Sequence, residues 1–137
     1  MGREVYFKTL MNNLVSVIVT TKNSSATLTS LLESIKAQTY KNTEIIVVDN
    51  NSTDPTKTIA EKYTKKVFNK GPERSAQRNF GAHEAKGEYL FILDSDMELT
   101  PRVIEDAVRT ARKTGVRALV VPEKTVGEGW LVRVRQF

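Results

Sequence analysis

The sequence predicts an α/β fold: a mostly parallel β-sheet flanked by helices. Two observations carry this. Short runs rich in β-branched residues alternate with helical patterns along most of the chain, as in successive βαβ units. The first and fourth of these runs, Val15–Thr20 and Tyr89–Leu93, are almost wholly apolar, as strands covered on both faces are.

Residues 1–13 are polar and irregular, and the ordered domain is expected over 14–137. The first strand is Val15–Thr20. Asn23, Ser24 or Ser25 can cap the next helix, whose Leu28, Leu31, Leu32 and Ile35 fall on one face. Thr39–Asn42 breaks that pattern. A second strand covers Glu44–Val48 and ends at Asp49. Asp54-Pro55 starts a second helix, with the cap just before a proline, and the helix is expected to run to about Lys65. Lys66–Asn69 is a short third strand, and Gly71-Pro72 turns the chain. Ser75–Ala85 reads as the third helix, with Gly87 beyond its end. After the fourth strand comes Asp94-Ser95-Asp96. Thr100-Pro101 opens a fourth helix with Val103, Ile104, Ala107, Val108 and Ala111 on one face, ended by Gly115. A fifth strand is expected at Ala118–Val121.

Composition sets outer bounds. The chain has 137 residues, 39% hydrophobic and 27% charged, which suits a single globular domain. It has no cysteine, which excludes a disulfide framework and thiolate metal sites. The stretch MGREVYFKTLMNN lacks the apolar core of a secretory signal, and no run of 18 apolar residues is present. The formal net charge of +5 fits a solvated basic surface, an anionic membrane face or a phosphate-bearing ligand. A nucleic-acid partner is not expected, because no nucleic-acid motif or aromatic-basic interleaving is visible.

Three strand ends carry polar clusters: Thr20-Thr21-Lys22-Asn23, Asp49-Asn50-Asn51-Ser52 and Asp94-Ser95-Asp96. In a parallel sheet they crowd onto one edge, where such sheets bind ligands. Asp94 and Asp96 suit a hard divalent cation, Mg²⁺ or Mn²⁺, which takes one or two carboxylates plus phosphate oxygens and water; the same residues are also good turn formers. Asp49 can accept hydrogen bonds from a base or ribose, or it can hold the loop that follows it. Thr20, Thr21 and Lys22 offer hydroxyls and a cation near a helix N-terminus. Neither G-x-G-x-x-G nor the Walker pattern occurs, which argues against dinucleotide dehydrogenases and P-loop ATPases. Arg78 can reach a phosphate, stack on a base or hold a carboxylate. His83, the one histidine, reads as a surface or packing residue, and Trp130 as a packing residue before a sugar platform.

Taken in order, VSVIVTTKN at 15–23, SIKAQTY at 34–40, EIIVVDNNSTD at 44–54, GPERSAQRNFGAHEAKGEYLFILDSD at 71–96 and MELTPRVIEDAV at 97–108 resemble the family 2 glycosyltransferases. Asn50 stands where many relatives carry a second acidic residue, and Lys22 where many carry an aromatic residue or Arg. The resemblance implies a Rossmann-like GT-A fold. It also implies transfer of a sugar, with inversion, from a nucleoside-diphosphate sugar (a UDP- or GDP-sugar) to an acceptor hydroxyl on a saccharide or lipid-linked acceptor. It implies that Thr20 and Lys22 line the nucleotide pocket and that Asp49 contacts the base. Arg78 would face the nucleotide, Asp94 the ribose or metal, and Asp96 of the DXD motif would ligate Mn²⁺ or Mg²⁺.

Family members usually place the catalytic base far beyond the DXD motif, and only residues 97–137 follow it here. Glu123 and Glu128 come too early for that role. The chain therefore reads as a donor-binding part, shortened at its C-terminus, with weak or absent transfer of its own. The alternative is a non-catalytic nucleotide-sugar-binding module. A shortened sheet would expose an edge or an apolar face through which two copies pair as a homodimer. A cytoplasmic setting, at the cytoplasmic membrane face, is what full-length relatives imply.

Overall fold

The computed structural model describes residues 13–123. Four strands form one parallel sheet in the order β3-β2-β1-β4: β1 (Val15–Thr21), β2 (Thr43–Asp49), β3 (Val67–Asn69) and β4 (Tyr89–Asp94). Four helices connect or follow them: α1 (Leu28–Lys36), α2 (Thr56–Glu61), α3 (Arg74–Glu84) and α4 (Val103–Thr114). The expected α/β architecture is thus present.

β1 is buried at every position, because it lies inside the sheet and both its faces are covered. On one face Val15, Val17 and Val19 meet Leu28, Leu31, Leu32 and Ile35 of α1, Ala60 of α2, and Ile104 and Val108 of α4. On the other, Ile18, Ile46 and Val48 pack against Phe80, Ala82 and Ala85. Phe68 stands edge-on to Phe80 there, with ring centroids 5.3 Å apart. Gly81 lets α3 sit close on the sheet: a Cβ there would lie 2.5 Å from Ile18 Cγ2.

Four expectations need correction. Residues 118–121 form no strand; Leu119 and Val120 are exposed, and among the described residues no strand pairs with them to complete a ladder. β4 is not covered on both faces. Among the described residues it is an edge strand, and Leu90 and Ile92 remain 46% and 44% exposed, because α3 covers only β1 and β2 on that side. α2 ends at Glu61, four residues early, where the chain turns so that Thr64 Oγ1 can donate to Ile45 O at 2.8 Å. α1 starts at Leu28 with Thr27 at its cap, and no side chain caps it. Asn23, Ser24 and Ser25 serve the loop before it instead. Gly115 ends α4 as expected, in the left-handed region with φ 68° and its N–H donating to Ala111 O.

Long-range polar contacts dock the later elements. Buried Gln38 donates to Thr100 O at 2.7 Å, and its Oε1 accepts from Ile104 N–H at 3.2 Å, which satisfies a donor at the N-terminus of α4. At the opposite end of the sheet from the strand tips, Ser16, Lys66 and the Lys86 N–H all donate to Glu44. Burial opposes ionisation of Glu44, yet these donors hold its pKa down to about 2.

Candidate functional site

The parallel register builds the site. Thr20 stands opposite Asp94 across β1 and β4, and Thr21 opposite Asp49 across β1 and β2. The strand order reverses at β1, and open α/β sheets bind ligands beyond the carboxyl ends at such a point. A cleft of about 480 Å³ lies there. Thr20, Thr21, Lys22, Asn50, Arg74, Gln77, Asp94, Ser95 and Asp96 are among its lining residues.

Asp94 closes β4 at the centre of a polar network. Its Oδ1 receives Arg78 Nη2 at 3.0 Å and Thr20 Oγ1 at 3.3 Å, and its Oδ2 receives Arg74 Nη1 at 3.4 Å. Both guanidiniums come from α3, so the helix that covers one face also brings two cations to the strand tip. Asp96 is different. It is exposed, lines the cleft, and makes no hydrogen bond or ion pair among the described residues. Between them, Ser95 is tied to the loop after β1: its hydroxyl lies 2.6 Å from Ser24 Oγ, and its carbonyl accepts from Thr27 Oγ1 at 2.8 Å. The Asp94–Asp96 turn is therefore held while Asp96 itself stays open.

Asp49 is fully buried and is not among the residues that line the cleft. Its oxygens accept from Thr21 Oγ1 at 2.7 Å, Ser52 N–H at 2.8 Å and Ser52 Oγ at 2.5 Å. The carboxylate thus holds the loop after β2 against β1. Asn23 and Asn51 both adopt positive φ, 45° and 47°, a region Asn tolerates better than most residues. Asn23 N–H donates to Ser52 Oγ at 2.8 Å, and its Oδ1 accepts from Thr53 N–H at 2.8 Å, which joins the two loops. Asp54 accepts from Thr56 Oγ1 and N–H and from Ser25 N–H, and these bonds hold its carboxyl below the usual carboxylate range.

The structure brings Thr20, Lys22, Asp94 and Asp96 together at the cleft; Arg78 reaches it through Asp94, and Asp49 lies behind Thr21. His83 is exposed on α3 and lies outside the cleft, as does exposed Glu123. Glu128 and Trp130 lie outside the described residues. Arg74 and Gln77 also line the cleft and had no role assigned from the sequence, whereas Asn50 belongs to the expected cluster after the second strand. Arg74 and Gln77 share a helical face with Arg78 at spacing i, i+3, i+4, the signal that would have found them. Asn50 donates through Nδ2 to Pro72 O at 2.8 Å. A Cβ at Gly71 would lie 2.2 Å from Asn50 Oδ1, so a larger residue there would displace the Asn50 side chain.

Two carboxylates two residues apart, one of them without a partner among the described residues, fit a hard cation that draws its remaining ligands from phosphate and water. No group of three or more acidic, His or Cys side chains that could hold a metal on protein ligands alone occurs among the described residues. Also among the described residues, no helix is long and apolar enough to cross a membrane.

Known proteins place this architecture. Glycosyltransferase GlyG of Streptococcus pneumoniae is 38% identical over 103 residues, which is 69% of this chain and 34% of GlyG. S. aureus TarS 1–349 in complex with UDP-GlcNAc has a similar fold, with a TM-score of 0.67 at 31% identity, covering 80% of this chain and 37% of that one. The mannosyltransferase PcManGT from Pyrobaculum calidifontis, in complex with GDP-Man and Mn²⁺, gives a TM-score of 0.56 at 28% identity, over 64% of this chain and 29% of that one. The chain spans about a third of the length of the curated relatives it matches. The shared sheet is that of the GT-A fold. The model of the family described as Glycosyl transferase family 2 matches residues 16–136, and this chain belongs to that family.

Proposed function

We propose that this chain is the donor-binding part of an inverting glycosyltransferase, which takes a sugar from a UDP- or GDP-sugar to an acceptor hydroxyl with the help of Mn²⁺ or Mg²⁺. The supporting observation is the convergence of three strand tips on one cleft in which Asp96 has no partner among the described residues. Lys22, Arg74 and Arg78 supply positive charge for a diphosphate, and Thr20 orients Asp94 beside it. Asp49 shapes the base side of the cleft by holding Thr21 and Ser52. Asp96, with Asp94, would hold the cation, which when bound screens the charge that builds on the departing nucleoside diphosphate. TarS was solved with UDP-GlcNAc and PcManGT with GDP-Man and Mn²⁺, and both facts support this reading.

No residue of this chain is assigned as the base that deprotonates the acceptor. A saccharide or lipid-linked acceptor and a cytoplasmic setting at the membrane face belong to the same proposal, supported by the net charge of +5. Pairing of two copies through the open β4 edge belongs to it as well.

Calorimetric titration with UDP and GDP, each with and without Mn²⁺, tests the reading. Nucleotide affinity is expected to rise with Mn²⁺, and Asp96→Asn is expected to lose about tenfold or more of that gain with an unchanged melting temperature. If neither nucleotide binds in Mn²⁺, the proposal fails. Binding of UDP- and GDP-sugars without any cleavage would instead assign the chain as a nucleotide-sugar-binding module.

A further inference from the structure

Gln77 is a buried amide whose two ends face different demands. It is 4% exposed, lies on the sheet side of α3 and lines the cleft. Its Nε2 donates to Thr21 O at 2.9 Å and to Val48 O at 2.8 Å, so the amide hydrogens are committed to the ends of β1 and β2. Those two acceptors fix the orientation of the amide, because the flipped form would set Oε1 against two carbonyl oxygens. Oε1 accepts no hydrogen bond among the described residues. Nor does it belong to the fully buried polar atoms left without a partner, and Gln77 is one of the residues that line the cleft. One helical turn further on, Gly81 seats α3 close on Ile18.

A fixed, unpaired acceptor in a cleft calls for a donor on the ligand. The neighbouring carboxylate that might take that role is closed: Asp49 is 0% exposed, and Thr21 and Ser52 already donate to it. Resting on the donor-binding reading above, we infer that Gln77 reads the nucleobase, its Oε1 accepting a lactam-type ring N–H. Uracil at N3 and guanine at N1 carry such a hydrogen. Cytosine at N3 and adenine at N1 present a lone pair instead, which leaves two acceptors face to face and both unsatisfied. Gln77 thereby selects the donor's base without contacting the reacting atoms.

The test is a calorimetric titration of the whole chain in Mn²⁺ with UDP, GDP, CDP and ADP, and with N3-methyl-UDP and N1-methyl-GDP. UDP or GDP is expected to bind about tenfold or more tightly than CDP and ADP, and N-methylation to cost a similar factor. In Gln77→Met, which keeps the length of the side chain, the ratio of UDP to CDP affinity falls towards one. A merely structural role would lower all affinities together with the melting temperature and leave the ratio unchanged. That result, or a wild-type chain that binds CDP as tightly as UDP and GDP, overturns the inference and leaves the donor reading standing. Failure of all six nucleotides to bind overturns both. Should Gln77→Met not fold, the side-chain amide resonances of Gln77 in the wild-type chain decide. They are expected to shift with UDP or GDP and not with the methylated forms, and resonances unmoved by any of these overturn the inference.

Discussion

Asp94, Asp96 and Asp49 are chemically alike, and their surroundings give them three tasks. Asp94 is ion-paired to two arginines, Asp96 is open, and Asp49 is sealed beneath Thr21 and Ser52. Asp49→Asn keeps the size but turns an amide donor towards groups that are themselves donors. Its expected cost is about 1–3 kcal/mol, seen as a lower urea midpoint at an unchanged slope. Glu44 offers a second test. Its folded pKa of about 2 lies below the ordinary 4.5, so its ionised form favours the folded state. That contribution is complete above the ordinary value and is lost as pH falls towards 2. Glu44→Gln is expected to flatten this part of the stability profile, measured by urea unfolding between pH 2 and pH 6. An unchanged acid limb would show that Glu44 does not carry it.

At the scale of elements, α3 governs the site. It supplies Arg74, Gln77 and Arg78, and it covers the face formed by Ile18, Ile46 and Val48. All of this depends on how closely it approaches β1. Gly81→Val would push the helix away, because the added atoms meet the Ile18 side chain inside a packed face. The expected loss is about 1–3 kcal/mol, measured by denaturant unfolding, with nucleotide affinity falling in the same variant. α3 was largely legible: its expected and observed ranges differ by one residue at each end. α2 was not, because the signal for its start, Asp54-Pro55, says nothing of where a tertiary contact from Thr64 to Ile45 stops it.

At the scale of the molecule, the sheet is covered unevenly. Among the described residues, three helices pack on one face and one on the other, and β4 is left at an edge with Leu90 and Ile92 exposed. Such an edge is a template for pairing with another chain. Ile92→Lys places a charge there without removing a buried contact. It is expected to change unfolding stability by no more than about 0.5 kcal/mol and to reduce self-association measured by light scattering. A chain that is monomeric at all concentrations before substitution would remove the reading of a pair.

Local chemistry by itself determined most of the elements, since β-branched runs and a 3.6-residue apolar period act over a few neighbouring residues. It also determined which three clusters sit at strand ends, because polar residues directly follow apolar runs at Thr20, Asp49 and Asp94. The tertiary structure alone decided what each cluster does. Whether Asp49 is open or sealed depends on Thr21 and Ser52, and whether Gln77 has a free oxygen depends on two carbonyls from different strands. It decided the failure of residues 118–121 to form a strand as well, because a strand exists only where another chain segment completes its ladder. Hydrogen-bond saturation and strand pairing are properties of neighbours brought together from afar, and no local pattern encodes them.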